Sequence, residues 1–120
     1  MSALTEEEIN QIYYQLDLYR ELIEYLDEVF QDFSYGYLEP GPALKKINVI
    51  THQYNRTAGS VPEEAERMHE LTKQLLSRVE YYFIFYKSNY RENPEINRKI
   101  LETRYELARE AEKLLNMYGY

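Results

Sequence analysis

Apolar residues recur in steps of three and four along the first third of the chain, and Glu, Asp and Gln fill most of the positions between them. The apolar row consists of Ile9, Ile12, Leu16, Tyr19, Ile23, Leu26, Phe30 and Phe33. Such spacing indicates an α-helix with one side against a core. Thr5 and Glu8 have the spacing of a capping box, and Gly36 suits the left-handed residue that follows a helix. We therefore predict a first helix over residues 6–34.

Prolines and capping residues divide the middle of the chain into two further helices. Pro42 suits the first turn of a helix, where its missing amide donor is not needed, and a shorter apolar row follows it. Ser60 and Glu63 repeat the spacing of a capping box. These signals predict a short second helix over residues 42–57 and a third helix over residues 61–90.

The last quarter of the chain has its own helix start. Asn93 is a favourable N-cap, and Pro94 suits the first helical position. An apolar row then continues at helical spacing, which predicts a fourth helix over residues 94–118. The connections are short and no strand pattern alternates, so the predicted fold is all-α: an antiparallel up-down four-helix bundle with a short second helix, forming a single domain over residues 1–120.

A second apolar row lies on the opposite side of the predicted first helix from the core row. Tyrosine is well suited to binding because it presents a large ring with few rotatable bonds. Acidic residues border this row, so we predict that the face binds a basic and apolar protein surface. The predicted partner-binding residues are Tyr14, Asp17, Leu18, Glu21, Tyr25 and Glu28. Two alternatives remain open: the tyrosines are exposed without a role, or the second helix covers part of this face.

Six consecutive apolar residues, beginning at Tyr81, surround every side of the predicted third helix. If Tyr82, Phe83 and Tyr86 point inward, then Tyr81 and Phe85 lie outside, where a contiguous apolar patch favours self-association. We therefore predict a homo-oligomer contact at Tyr81 and Phe85. The alternatives are a third helix that is buried on all sides, or a strand, because these residue types also favour strands.

The charge of the chain is concentrated near its beginning. The net charge is −7, and the first forty residues hold ten acids against one base, Arg20. The next segment, residues 41–62, has three bases and no acid. An acidic field attracts basic partners and repels phosphate groups over about 10 Å at moderate salt. We expect no direct binding to nucleic acid or to membranes.

Composition narrows the other possibilities. There are fourteen tyrosines, no tryptophan and no cysteine, which excludes disulfides and thiolate chemistry. No apolar run approaches the roughly 20 residues that span a bilayer, and the first residues lack the pattern of a signal peptide. We expect a cytoplasmic protein.

Any catalytic activity or metal binding would depend mainly on histidine. Glu66 and His69 form a Glu-x-x-His sequence. A di-iron carboxylate bundle requires a second such pair and further inward glutamates, and neither is present. The carboxylates lie on polar faces, where nothing prepares them for acid-base catalysis. We predict no metal, no cofactor and no enzymatic activity, and we expect His69 to be a surface residue.

His69 with Lys73 one turn later resembles the phosphorylated histidine region of histidine phosphotransfer domains, which are also small acidic helical bundles. The resemblance covers about five residues, and Gln74 stands where those domains usually have glycine. It implies a signalling module that carries a phosphoryl group on His69.

The main functional prediction is a non-enzymatic helical bundle that binds protein, as an adaptor, an inhibitor or a chaperone-like regulator. The alternatives are the phosphotransfer module and a structural subunit of a larger assembly.

Overall fold

The computed structural model describes residues 4–119, which fold into four helices. These are α1 (Glu6–Ser34), α2 (Pro40–Thr57), α3 (Glu66–Asn89) and α4 (Pro94–Tyr118), with a 3₁₀ turn, Glu63–Ala65, before α3. Each helix packs against its neighbours in a closed ring, α1 on α2 and α4, and α3 on α2 and α4. The described part contains no strand and measures 52 × 24 × 19 Å. The all-α four-helix bundle with a short second helix is confirmed.

The ends of α1 form as their residue types predict. The Thr5 hydroxyl accepts a hydrogen bond from the Glu8 amide at 3.1 Å, and the Glu8 carboxylate accepts one from the Thr5 amide at 3.2 Å. At the other end Gly36 has a φ of 79°, and the Tyr37 amide donates to the Asp32 carbonyl at 2.9 Å. This is the geometry of a Schellman motif, which closes the helix by satisfying its last carbonyls.

The starts of α2 and α3 differ from the prediction. Helix α2 begins at Pro40, two residues earlier than predicted, because prolines are tolerated throughout a first turn whose amides have no partner within the helix. Helix α3 begins at Glu66 rather than at residue 61. Val61 precedes a proline, which disfavours helical angles for it, and Pro62 is extended with a ψ of 152°. The predicted Ser60–Glu63 capping box is wrong, since Pro62 caps the 3₁₀ turn without a side-chain hydrogen bond.

The buried side of α1 is broader than the predicted row. Ile12, Leu16 and Leu26 are buried as expected, whereas the other members of that row are half-buried. Three further residues are buried: Gln15, Leu22 and Val29. Gln15 and Leu22 lie on the side of α1 that faces α2, since Gln15 donates to the Ala58 carbonyl and Leu22 lines a groove shared with α2. The centre of the buried face of α1 is therefore displaced around the helix from the predicted apolar row, because both α2 and α4 pack against α1.

Aromatic rings fill the core at the end of the bundle where α1 and α3 finish. We call Phe30, Phe33, Tyr82, Phe83 and Tyr86 the aromatic cluster. The rings of Phe33 and Tyr86 meet edge to face with centroids 4.7 Å apart, and those of Phe30 and Phe83 are 5.2 Å apart. The Tyr82 hydroxyl donates to the Glu92 carboxylate at 2.7 Å, and burial raises the pKa of Tyr82. The cluster joins α1 to α3 through apolar packing.

The six-residue apolar run is helical throughout, so the strand alternative is wrong. Tyr82 and Phe83 are buried and Tyr86 is half-buried. Tyr81 keeps 53% of its surface exposed, so the alternative of a helix buried on all sides is also wrong. Phe85 is only half-buried, and the Arg91 guanidinium lies 5.9 Å from its ring centroid.

Candidate functional site

A groove of about 680 Å³ runs between α1 and α2. Its apolar lining consists of Tyr14, Leu18, Leu22 and Tyr25 from α1 and of Ile50 and Tyr54 from α2. Residues four and three positions apart on a helix lie above one another, so the α1 side chains line the groove on successive turns. From residue 14 to residue 25 the lining extends over about 16 Å of helix axis.

Four of the six predicted partner-binding residues line this groove: Tyr14, Leu18, Glu21 and Tyr25. Tyr14 is 46% exposed, whereas Leu18 and Tyr25 are half-buried and pack against the core. The alternative in which α2 covers part of this face is therefore correct for these two side chains. The face is one wall of a groove, and the sequence could not show this because it does not reveal the position of α2.

The remaining two predicted residues, Asp17 and Glu28, are exposed on α1 outside the groove lining. Together with Glu21 and Glu24 they form a row with steps of four, three and four, which we call the acidic edge. The opposite wall has the opposite sign, because Arg56 of α2 lines the groove. Charge therefore changes from negative to positive across the width of the groove.

Beneath the groove, a set of buried polar groups joins three helices. The Gln15 side-chain amide donates to the Ala58 carbonyl at 2.8 Å, and Gln15 is only 2% exposed. The Tyr54 hydroxyl lies 2.7 Å from Nδ1 of His69 and 3.4 Å from Oε1 of Gln15. We call these four residues the polar cluster. Because buried polar groups are costly without partners, these hydrogen bonds fix the end of α2 relative to α1 and α3.

The protonation states within the polar cluster follow from burial. Burial raises the pKa of Tyr54 to about 12, so its hydroxyl keeps its proton at neutral pH. Burial, together with the nearby Lys73 ammonium, lowers the pKa of His69, and Glu70 opposes this in part. A neutral imidazole can accept at Nδ1 the proton that Tyr54 donates, which leaves its own proton on Nε2.

The expectation that His69 is a surface residue is wrong, because the imidazole is half-buried and hydrogen-bonded to Tyr54. No sequence motif marks this pair. The available signal was the placement of Tyr54 on the inner row of α2, where a buried hydroxyl requires a partner. The hydrogen bond occupies Nδ1, so only Nε2 is left for a phosphoryl group, and the phosphotransfer hypothesis stays a prediction.

Within residues 4–119 no three His, Asp or Glu side chains lie close enough together to hold a metal ion. The described helices likewise include none with the length and apolar content required to cross a lipid bilayer.

Comparison with protein-family models, with curated proteins and with solved structures finds no significant match. The groove and the charges around it are therefore the features of the structure that bear on function.

Proposed function

We propose that this chain is a non-enzymatic protein-binding bundle, acting as an adaptor, an inhibitor or a chaperone-like regulator. Its groove between α1 and α2 binds an apolar segment of a partner protein, and the acidic edge contacts basic residues of the same segment. The observation that supports this most is the convergence of Tyr14, Leu18, Glu21 and Tyr25 on one groove wall.

The form of the groove favours a helical partner segment. Backbone amides and carbonyls in the walls are already paired within α1 and α2, so an extended strand would find no free sheet edge. The apolar side chains of α1 repeat at about one helical turn, which matches a helix with apolar residues at positions i, i+3 or i+4, and i+7. Burying such a row removes apolar surface from water on both partners.

The charges set the orientation of that helix. The acidic edge on α1 favours lysine or arginine on the side of the partner helix that faces it, while Arg56 favours an acid on the other side. Charged groups at the border of an interface mainly raise the association rate and select the partner. Binding should therefore weaken as salt rises.

A peptide containing tryptophan tests the proposal directly, because the chain itself has no tryptophan. The probe is a synthetic amphipathic helix of about 18 residues with one tryptophan in its apolar row and lysines along one side. On titration with the protein, its fluorescence should shift to the blue and saturate, with a Kd in the micromolar range, about 10–100 μM. A matched peptide with glutamates in place of the lysines should bind at least about tenfold more weakly.

Variants locate the binding site. Glu21→Lys should weaken the lysine peptide about fivefold, and Tyr14→Ser should weaken both peptides by a similar factor through lost apolar contact. The control is Tyr105→Ser, which removes an exposed tyrosine of α4 outside the groove lining. Equal affinity for the two peptides, or the same loss in the Tyr105 variant as in the Tyr14 variant, would contradict the proposal.

A further inference from the structure

The outward side of α3 carries a row of uncharged residues, separate from the groove between α1 and α2. The row has steps of three, four, three and four and consists of Gln74, Ser77, Tyr81, Ile84 and Ser88. Its two large members, Tyr81 and Ile84, are 53% and 42% exposed. Residues at this spacing form a continuous seam along one side of a helix, as in helix pairs that pack together.

Charged residues follow one side of this row at intervals of seven. They are Lys73, Glu80 and Lys87, so the sign alternates along the helix. When two copies of one helix pack antiparallel about a two-fold axis, the same side of each helix meets itself in reversed order. A row that alternates in sign can then pair with its own copy.

We propose that α3 pairs with α3 of a second copy in an antiparallel homodimer, with the two-fold axis passing beside residues 82 and 83. Tyr81 then contacts the partner's Ile84, and the partner's Tyr81 contacts Ile84. Ser77 faces the partner's Ser88, and these small side chains allow the two helix axes to approach closely at both ends of the contact.

This register also places Glu80 within about two residues of the partner's Lys87, so two symmetric ion pairs form. A shift of the axis to residue 80 would bring the two Glu80 side chains together, which is unfavourable. A parallel pair would instead place this side of α3 against the side that bears Arg78, whose guanidinium already donates to the Thr103 hydroxyl. Charge complementarity thus favours the antiparallel register.

The proposed contact differs from the predicted self-association residues at one position. Tyr81 remains at the centre of the contact, but Phe85 is half-buried beneath Arg91, and Ile84 takes its place. A single helix pair buries less than the roughly 1,200 Å² typical of stable complexes. The dimer should therefore dissociate on dilution, and sedimentation equilibrium over a range of concentrations up to about 1 mM should show it.

Charge reversal distinguishes this dimer from any other. Glu80→Lys and Lys87→Glu each turn both ion pairs into repulsive contacts, and each should raise the dimer dissociation constant about tenfold or more. An equimolar mixture of the two variants restores both attractive pairs, so heterodimers should form with a dissociation constant within about threefold of the wild-type value. Tagging one variant allows the heterodimer to be measured separately.

The control is Glu112→Lys, a reversal at an exposed position of α4, which should leave the dimer unchanged. Far-ultraviolet circular dichroism checks that every variant remains helical. A wild-type chain that stays monomeric up to about 1 mM, or a mixture that associates no better than its separate components, would overturn the proposal. Neither result bears on peptide binding in the groove, which lies on α1 and α2.

Discussion

The core of this bundle is held in two different ways at two levels. In the aromatic cluster, rings from α1 and α3 contact one another edge to face, and Phe83 is fully buried. In the polar cluster, about 23 Å away along α1, the Gln15 amide donates to the Ala58 carbonyl and the Tyr54 hydroxyl bonds to His69. One level depends on the volume of side chains, and the other depends on the geometry of a few atoms.

The difference bears on the groove, which lies beside the polar cluster rather than beside the aromatic one. Tyr54 belongs to both, since its ring lines the groove and its hydroxyl contacts His69. Hydrogen bonds hold the end of α2 against α1 and α3, and the side chains of α1 and α2 beside them leave the groove open. This explains how a groove can lie next to the buried core.

The largest effect is expected at the aromatic level. Phe83→Ala removes a fully buried ring and leaves a cavity, so the free energy of unfolding should fall by about 3–5 kcal/mol. Urea denaturation measures this loss. Phe85→Ala is the matched control, because that ring is only half-buried and should cost clearly less. Equal losses for the two variants would show that the aromatic cluster has no special part in stability.

A smaller loss is expected at the polar level. Gln15→Met keeps most of the volume but removes the hydrogen bond to the Ala58 carbonyl, which should lower the free energy of unfolding by about 1–3 kcal/mol. Gln15→Met should cost nearly the same free energy of unfolding when it is made in a Tyr54→Phe variant. The interaction energy between the two substitutions should stay below about 0.5 kcal/mol, because the Gln15–Tyr54 contact is long at 3.4 Å.

Gln31→Met, an exposed glutamine on the same helix, serves as the control for the change of residue type and should be neutral within about 0.5 kcal/mol. An equal loss of unfolding free energy at positions 31 and 15 would show that the polar cluster makes no particular contribution to stability.

The smallest effect is a dependence of stability on pH. The pKa of His69 is lowered from its ordinary value of 6.5, so near that pH the folded state binds fewer protons than the unfolded state. The free energy of unfolding should therefore fall as pH decreases through about 6.5. The contribution of neutral His69 to stability is fully present only above that pH. Measuring the free energy of unfolding of the wild type and of His69→Gln between pH 7.5 and 5.5 isolates the contribution of His69, because exposed His52 is present in both proteins.

The groups that face His69 are Tyr54, Lys73 and Glu70, and none of them is altered in the His69→Gln variant. The wild type should lose more stability on acidification than the variant. A greater loss in the variant would mean that protonated His69 stabilises the fold, contrary to the direction of its pKa.

The ends of α1 and α4 could be predicted because local chemistry determines them. A Thr5–Glu8 capping box and an Asn93 cap satisfy amides of their own helix, without help from distant residues. The start of α3 could not be read in the same way. Two local signals conflict there, and the restriction that Pro62 places on Val61 outweighs the spacing of Ser60 and Glu63.

Only part of the candidate site could be predicted, because only part of it depends on residues close together in the sequence. The spacing of Tyr14, Leu18 and Tyr25 shows that they share a face of α1, since helical periodicity is a property of the chain alone. That they form one wall of a groove could not be predicted, because the groove depends on the position of α2. The polar cluster was missed altogether, because its members are separated by up to 54 positions between Gln15 and His69 and meet only through packing.

The sequence by itself determined four helices, their order and the acidic tyrosine-bearing row, because caps, periodicity and charge act within a few residues of one another. The tertiary structure alone decided how far α1 rotates about its axis, where α2 leaves a groove, and which polar atoms meet beneath it. Those features depend on how neighbouring helices share buried surface, and no single helix contains that information.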